Sequence, residues 1–414
     1  MRRYLRATLE SLGNRNFRLY FASQTVSIIG TWMQKVAQAW LVLELTDSGT
    51  LLGVTAALQQ LPTLLLTPWG GLLADRLDKR KILFWTQWAA AAPALLLGVL
   101  TATGTVRLWM VLVLALVLGS AEALDKPARH TFVIEMVGPR HVPNAVALNN
   151  ITINAGKVVG PAVAGVLIST VGLAYCFFIN AVSFAAVVAG LLLMRTELLE
   201  RPVRAHRGPG QLREGLRYVR GEPALLGPLV LMTVSGLFAY EWTVTLPLLA
   251  RETFDGDAHI AGLLFAAMGA GSIVGALAIA ATLTATTNRL VASGLAFAVL
   301  LAGTAMSSSL PVALVLLFVV GAASVAFRAI ATSWVQLRAV PEMRGRVMAL
   351  LVMAIGGTTP VGGPLVGWIA ETYGAPASLA LGGIATAAAA GATLLYLRTR
   401  REPTLLATAQ PAGT

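Results

Sequence analysis

The stretch GGLLADRLDKRK (residues 70–81) decides the fold, because six of the seven residues from Asp75 to Lys81 are charged. Residues 49–74, which lead into it, contain no charged side chain, and a second long apolar run follows it. A run of about 20 apolar residues is long enough to cross a lipid bilayer. The stretch is therefore typical of a short polar connection between two membrane-spanning helices.

The composition of the whole chain is that of a membrane protein. Of its 414 residues, 56% are hydrophobic and 12% are charged, whereas soluble domains carry about 25% charged residues. The mean hydropathy is +0.73. The sequence predicts an all-α membrane protein with twelve spans. The predicted spans are residues 17–44, 49–74, 81–104, 107–128, 143–169, 172–195, 224–250, 259–283, 289–308, 311–337, 346–370 and 375–397.

The net charge of +12 is concentrated on one side of the predicted bundle. Lys and Arg gather at both termini and in the connections after even-numbered spans, whereas the opposite loops hold only Arg107 and Arg251. Positively charged loops stay in the cytoplasm. We therefore expect a monomeric, multi-pass protein of the cytoplasmic (inner) membrane, surrounded by lipids, with both termini in the cytoplasm. This placement of the charge argues against nucleic-acid binding.

The chain divides into two halves that repeat each other. We predict an N-terminal six-helix half (1–194), a cytoplasmic linker with an amphipathic helix (195–223), a C-terminal six-helix half (224–398) and a cytoplasmic tail without regular structure (399–414). A shift of 202 positions aligns Gly119 with Gly321 and Gly172 with Gly374 without a gap. Two copies in the same orientation imply a pseudo-twofold axis along the membrane normal, the arrangement in which transporters bind substrate between the halves.

The opening stretch resembles the signature of the major facilitator superfamily, G-x-L-A-D-r-x-G-r-[RK], with Asp78 in place of its glycine. Residues 14–81, 126–150 and 341–350 resemble the exporter branch that contains the enterobactin exporter and macrolide-efflux proteins. The resemblance spans nearly the whole chain and implies the major facilitator fold. It does not identify the cargo, because one fold carries many substrates.

This resemblance implies a cytoplasmic latch in which Asp75 faces the start of the eleventh helix, PEMRGRVM (341–348). Free N–H groups at a helix start favour a carboxylate, and Arg344 and Arg346 would add charge pairing. The alternative is a basic anchor whose acids are incidental. The candidate latch residues are Gly71, Asp75, Arg76, Arg80, Arg344 and Arg346.

A second motif, GKVVGPAVAG (156–165), resembles the antiporter signature of the superfamily, with Ala164 replacing one glycine. Small residues at intervals of four allow close helix packing, and proline kinks a helix. In antiporters the motif is expected to seal the cavity against leakage; ordinary packing is the alternative. The candidate residues are Gly156, Gly160, Pro161 and Gly165, with Lys157 as a possible partner of an acid or of the substrate.

Polar residues on the first predicted helix repeat at intervals of three and four, so they share one face. Such a face must meet water or a polar partner inside the bundle, and we expect it to line the cavity. The candidate cavity residues are Gln24, Ser27, Thr31, Gln34, Gln38 and Trp242. An amphipathic cavity suits a medium-sized organic molecule such as a drug, a siderophore or a secondary metabolite.

Charges within the spans suggest gates and a proton carrier. Lys35 and Glu241 are predicted at one depth on opposite halves, and Glu122 and Arg328 at another. A charge alone in the membrane is costly, so we expect the first pair to close the outer gate and the second the inner gate. The alternative for the inner pair is an intrahelical ladder in which Glu122 pairs with Lys126 and Asp125 with Arg129. Asp125 is then the second candidate proton carrier.

These patterns together predict a secondary active exporter, not an enzyme. The sequence has no nucleotide-binding loop, so we expect no cofactor and no metal, with the proton gradient as the energy source and a small molecule as the transported partner. Alternating access with proton antiport is the favoured mechanism. The alternatives are a proton-coupled uptake symporter, a lipid or headgroup transporter, and a non-transporting sensor or assembly protein.

Overall fold

The computed structural model describes residues 10–199, 211–280 and 285–399, and within these ranges every regular element is helical. Apolar segments of this length form helices because a helix satisfies its own backbone hydrogen bonds in lipid. The helices of the N-terminal half are α1 (Arg15–Thr46), α2 (Gly49–Arg76), α3 (Lys79–Ala102), α4 (Leu108–Gly138), α5 (Arg140–Thr170) and α6 (Leu173–Leu192). Those that follow are α7 (Gln211–Gly221), α8 (Pro223–Ala239), α9 (Trp242–Leu248), α10 (Ala258–Ala280), α11 (Thr287–Ala305), α12 (Leu310–Arg338), α13 (Pro341–Gly356), α14 (Thr359–Tyr373) and α15 (Ala375–Thr399).

These helices give twelve passages through the bundle. Eleven segments of the described chain are long and apolar enough to span a membrane, and α1 adds a twelfth of 32 residues, whose polar side chains lower its hydropathy. Two passages are broken: α8 and α9 form one, and α13 and α14 form another. The predicted all-α fold of twelve spans is confirmed.

The connection predicted at residues 129–142 is much shorter than expected, because α4 continues to Gly138 and α5 begins at Arg140. Only Gly138 leaves helical dihedral angles between Leu108 and Thr170, with φ of 69°, a conformation that glycine adopts without steric cost. The charged residues that suggested a loop have partners here. Lys79 Nζ lies 2.6 Å from Glu135 Oε1, and Asp125 pairs with Arg129.

The predicted repeat is visible in the backbone. Gly172 and Gly374 stand 202 positions apart, each directly before the last helix of its half, with φ of 103° and 89°. Gly119 of α4 meets the Gln59 carbonyl of α2, and its counterpart Gly321 of α12 meets the Met268 carbonyl of α10 in the same way. The halves therefore share turn geometry and helix crossings, as a pseudo-twofold pair requires.

The two halves are in close contact at one end of the bundle, the distal end. This end is opposite the one where α1 begins and α15 ends. There α2 crosses α14 so closely that Gly49 lies against Gly367 and Gly53 against Gly363, backbone to backbone. On the other side of the bundle, α5 crosses α10, where Gly262 meets the Pro161 carbonyl. These contacts close the distal end; the end where α1 begins is called the proximal end.

The amphipathic linker helix predicted within residues 195–223 is α7, which packs on α13 at the proximal end. Val219 is 2% exposed, and Glu214 Oε1 forms an ion pair with Arg346 Nη1 at 2.9 Å. The Tyr218 hydroxyl accepts a 3.4 Å hydrogen bond from the backbone N–H of Val340. The predicted helix thus belongs structurally to the C-terminal half. Residues 200–210 and the tail 400–414 lie outside the described residues.

Candidate functional site

A cavity of about 350 Å³ lies between the two halves. Helices α1, α2 and α5 line it from the N-terminal half, and the broken passages α8–α9 and α13–α14, with α10 and α12, line it from the other. Its charged lining residues are Lys35, Lys157, Glu241 and Arg328. The cavity therefore gathers four of the six charged residues that the sequence singled out for gating and coupling.

The two helix breaks lie side by side at this cavity. Glu241 occupies the break between α8 and α9, where its backbone carbonyl accepts hydrogen bonds from Val244 and Thr245 at 3.0 and 2.9 Å. Glu241 is 3% exposed, and its carboxylate lies against the first turn of α14, next to the second break. A Cβ atom placed on Gly362 would lie 3.0 Å from Glu241 Oε1. Because Gly362 has no side chain, α14 leaves space for the carboxylate of Glu241.

Three cations of the cavity rest on aromatic faces. Lys35 Nζ lies 4.8 Å from the ring centroid of Trp32, and Lys157 Nζ lies 5.7 Å from the same ring. Arg328 Cζ lies 5.9 Å from the centroid of Tyr240. A cation within about 6 Å of an aromatic face is attracted by the quadrupole of the ring. In the N-terminal half, lysines from α1 and α5 thus share the indole of Trp32. In the C-terminal half, the arginine of α12 covers the phenol of Tyr240.

Aromatic packing fixes Tyr240 as a wall of the cavity. Its ring stacks on Phe297 with a centroid distance of 5.3 Å and meets Trp242 edge-on at 6.2 Å. Its hydroxyl donates a hydrogen bond of 3.1 Å to the carbonyl oxygen of Ser324. Trp242 also lines the cavity, and its role in binding substrate stays a prediction.

The predicted polar stripe of α1 mostly faces away from the cavity, and of its five members only Gln38 lines it. Gln34 Oε1 instead accepts a 2.6 Å hydrogen bond from Asn180 of α6. Gln24 and Ser27 are buried, and the Thr31 hydroxyl donates to the Ser27 carbonyl. The cavity face carries Trp32, Lys35 and Ala39, one residue further along, which is a rotation of about 100° on a helix. Apart from Gln38, the stripe therefore packs within its own half.

The predicted outer pair Lys35–Glu241 does not close the distal end. Lys35 lies on Trp32 and Glu241 beside Gly362, and the described ion pairs do not join them. The distal end is instead held by Asp47 and Arg251, whose charged atoms lie 2.8 Å apart.

A second distal contact comes from Glu371 near the end of α14. Its Oε2 atom accepts hydrogen bonds from the Ser48 hydroxyl at 2.7 Å and the Thr50 backbone N–H at 2.8 Å, both at the start of α2. Sequence reasoning missed Asp47, Arg251 and Glu371. The one available signal was the rarity of basic residues in distal loops, which made Arg251 unusual.

The predicted inner pair Glu122–Arg328 is not formed in this conformation. Glu122 Oε2 lies 2.9 Å from Lys126 Nζ, one turn along α4, which is the intrahelical alternative. Asp125, 3% exposed, pairs with Arg129 and accepts hydrogen bonds from Thr86 at 3.0 Å and Gln87 at 2.8 Å. Three donors thus surround Asp125 on the N-terminal half, away from the cavity lining.

The stretch at residues 70–81 forms the end of α2 and the start of α3. Asp78, which replaces the signature glycine, caps α3 by accepting from the Arg80 backbone N–H at 2.9 Å. Arg80 Nε donates to the Leu191 carbonyl at 2.8 Å and ties the turn to the end of α6. Arg76 and Arg344 are exposed. For Gly71 and Asp75 only the backbone is described, so the contact of Asp75 with α13 stays a prediction.

The residues of the antiporter-like motif contact two different helices. Gly156 lies against Ile28, and Gly160 lies against Ile29 and Trp32 of α1. On the other face Gly165 meets His259 of α10, across the boundary between the halves. Pro161 keeps helical dihedral angles within α5, and the predicted kink there stays a prediction. The motif thus joins the cavity wall to the distal contact, while its role in coupling stays a prediction.

The chain matches the family model described as Transmembrane secretion effector over residues 6–409. It is 23% identical over 376 residues to the staphyloferrin A transporter of Staphylococcus aureus, covering 89% of this chain and 93% of that protein. It is 26% identical over 370 residues to the multidrug efflux pump Tap of Mycolicibacterium fortuitum, covering 86% and 89%. The crystal structure of the nucleoside transporter NupG superposes with a TM-score of 0.75 at 15% identity, covering 93% and 98%.

Proposed function

The chain belongs to the transmembrane secretion effector family of the major facilitator superfamily, and we propose that it is a secondary active exporter of a small organic molecule. The cargo enters the central cavity from the cytoplasm and leaves on the opposite side by alternating access. Inward proton flow drives the cycle. A drug, a siderophore or a secondary metabolite is the proposed class of cargo.

The observation that carries this proposal is Glu241 at a helix break in the cavity. A broken membrane helix exposes backbone groups only where they line a cavity or a binding site. Glu241 is the acid among the charged lining residues of the cavity, and it lies beside the second break at Gly357 and Thr358. A carboxyl group there can take a proton when the cavity opens to one side and release it when the cavity opens to the other.

Two arguments support an inward-facing conformation. The positive-inside pattern of the sequence assigns the proximal end to the cytoplasm, and the halves meet at the distal end through the glycines of α2 and α14. This conformation is then inward-facing and ready to accept cargo from the cytoplasm. The names of two relatives, a siderophore transporter and a drug efflux pump, support a small organic cargo, and low identity leaves its chemistry open.

The test is transport into inside-out vesicles that contain the full chain, with a panel of dyes, antibiotics and siderophores. Accumulation should require an imposed proton gradient and should stop when the gradient is collapsed. Glu241→Gln should abolish the dependence on the gradient, whereas Glu197→Gln, at an exposed site after α6, should leave it intact. Accumulation that ignores the gradient in the unmodified protein would show that proton antiport is wrong.

A further inference from the structure

The charge of the central cavity is strongly unbalanced. Its lining contains three basic residues, Lys35, Lys157 and Arg328, and one acidic residue, Glu241. The three basic side chains are half-buried, whereas Glu241 is 3% exposed and faces Gly362. The surface that a bound molecule meets is therefore positive whether or not Glu241 is protonated.

None of the ion pairs in the described part of the chain contains Lys35, Lys157 or Arg328. Glu122 of α4 is paired with Lys126 at 2.9 Å. The ion pairs of the distal end, Asp47 with Arg251 among them, use other residues. Uncompensated charge inside a membrane is costly, so three cations on aromatic faces are placed to receive an anion.

The positions of the cations say how the anion would lie. Lys35 and Lys157 belong to the N-terminal half and share the face of Trp32. Arg328 belongs to α12 of the C-terminal half and lies on Tyr240. All three side chains line the same cavity, so they surround one space. A molecule with separated anionic groups would therefore contact cations of both halves at once.

We infer that the cargo is an organic anion with at least two ionised acidic groups, one held by Lys35 and Lys157 and another by Arg328. The inference rests on the proposed function, since it takes the cavity as the transport site. A guanidinium binds a carboxylate or a phosphate through two parallel hydrogen bonds, and such charge-assisted bonds are stronger than a cation–aromatic contact. The arriving anion would therefore take the cations from Trp32 and Tyr240 and draw the halves together.

Binding to the purified full-length protein tests this inference without transport. The probe is benzene-1,3,5-tricarboxylate, and its matched control is the uncharged triamide of the same shape. The tricarboxylate should raise the unfolding temperature and bind at least about tenfold more tightly than the triamide, because it adds charge-assisted hydrogen bonds. Raising the salt concentration should weaken its binding. Equal binding of the two probes, or binding by neither, would overturn the inference.

Variants locate the site. Lys157→Gln and Arg328→Gln should each weaken binding of the tricarboxylate about tenfold. Arg328→Lys should lose less, because lysine keeps the positive charge although it cannot donate two parallel hydrogen bonds as a guanidinium does. Lys81→Gln, at an exposed site on α3, should bind as the unmodified protein does. Tricarboxylate binding that survives both glutamine variants would place the anion elsewhere and overturn the inference.

The two proposals fail in different ways. Proton-driven accumulation of neutral or cationic compounds, without tricarboxylate binding, would support the exporter function and exclude an anionic cargo. Binding of the tricarboxylate at Lys157 and Arg328, without any proton-driven transport, would support the anion site and exclude the proton-driven exporter.

Discussion

Arg346 Nη1 lies 2.9 Å from Glu214 Oε1, so the linker helix α7 holds the arginine that the sequence assigns to the cytoplasmic latch. The guanidinium of Arg346 also donates to Met343 Sδ. Gly215 of α7 packs against the Cβ atom of Arg346. Arg346 is therefore occupied while the distal end is closed. When the proximal end closes, Arg346 would exchange Glu214 for the acidic end of α2, where the sequence places Asp75.

Glu214→Gln should favour closure of the proximal end, because it removes the partner that holds Arg346. The pair is partly exposed, so the shift is small, of the order of 1 kcal/mol or less. The measurement is alkylation of Gln59→Cys, a cavity position, in a Cys176→Ala background by a reagent added from the proximal side. Labelling should slow severalfold, and Glu222→Gln in the same background is the control. An unchanged labelling rate would mean that the pair has no influence on the equilibrium.

Asp75→Asn should lower transport while leaving expression and membrane insertion near normal. The loss of a charge at the end of α2 would weaken the predicted contact with the start of α13, where helix N–H groups favour an anion. Asp78→Asn is the matched control, since asparagine caps a helix about as well as aspartate and Asp78 caps α3. If Asp75→Asn transports at the rate of the unmodified protein, the proposed latch is wrong.

Gly53→Ala should open the distal end. A Cβ atom at Gly53 would collide with the Gly363 carbonyl, and overpacking of this kind costs about 1–3 kcal/mol. The halves can relieve the collision by separating, so distal cysteine labelling should increase and transport should fall. Gly391→Ala in α15 is the control because no atom lies within 4 Å of the added carbon. Transport and labelling that match the unmodified protein would show that the glycine crossing is not a gate.

A charge swap tests the arrangement of Lys35 and Glu241. Glu241→Lys should abolish transport, since it would add a fourth cation to the cavity and press a longer side chain against Gly362. Adding Lys35→Glu should not restore activity, because Lys35 lies on Trp32 and its described contacts do not include Glu241. Recovered transport in the double variant would show that the two residues pair in another state of the cycle.

Sequence patterns predicted the parts of the fold that depend on local physics. Hydropathy gave the number of spans, since each must satisfy its own backbone in lipid. The offset of 202 positions placed Gly172 and Gly374 in equivalent turns, and both adopt positive φ. The loop at residues 129–142 was predicted too long because its charged residues suggested exposure, whereas Glu135 pairs with Lys79 and lets α4 continue.

The parts that failed depend on how helices are turned toward each other. Periodicity placed Gln34 and Gln38 on one face of α1, yet it could not say that this face meets Asn180 of α6. Depth along the helices put Lys35 level with Glu241, but depth does not give the direction in which each side chain points. The Asp47–Arg251 contact joins residues far apart in sequence, so local patterns do not indicate it.

The cations of the cavity have a consequence for how the carrier responds to voltage. In a cell whose interior is electrically negative, moving one charge across the whole membrane involves about 2.3 kcal/mol per 100 mV. An empty cavity that contains Lys35, Lys157 and Arg328 with one acid would be drawn toward the negative side, which favours the inward-facing state. A bound polyanion would cancel that excess charge and release the bias. The membrane potential would then return the empty carrier to the side where cargo is loaded and oppose the loaded carrier much less.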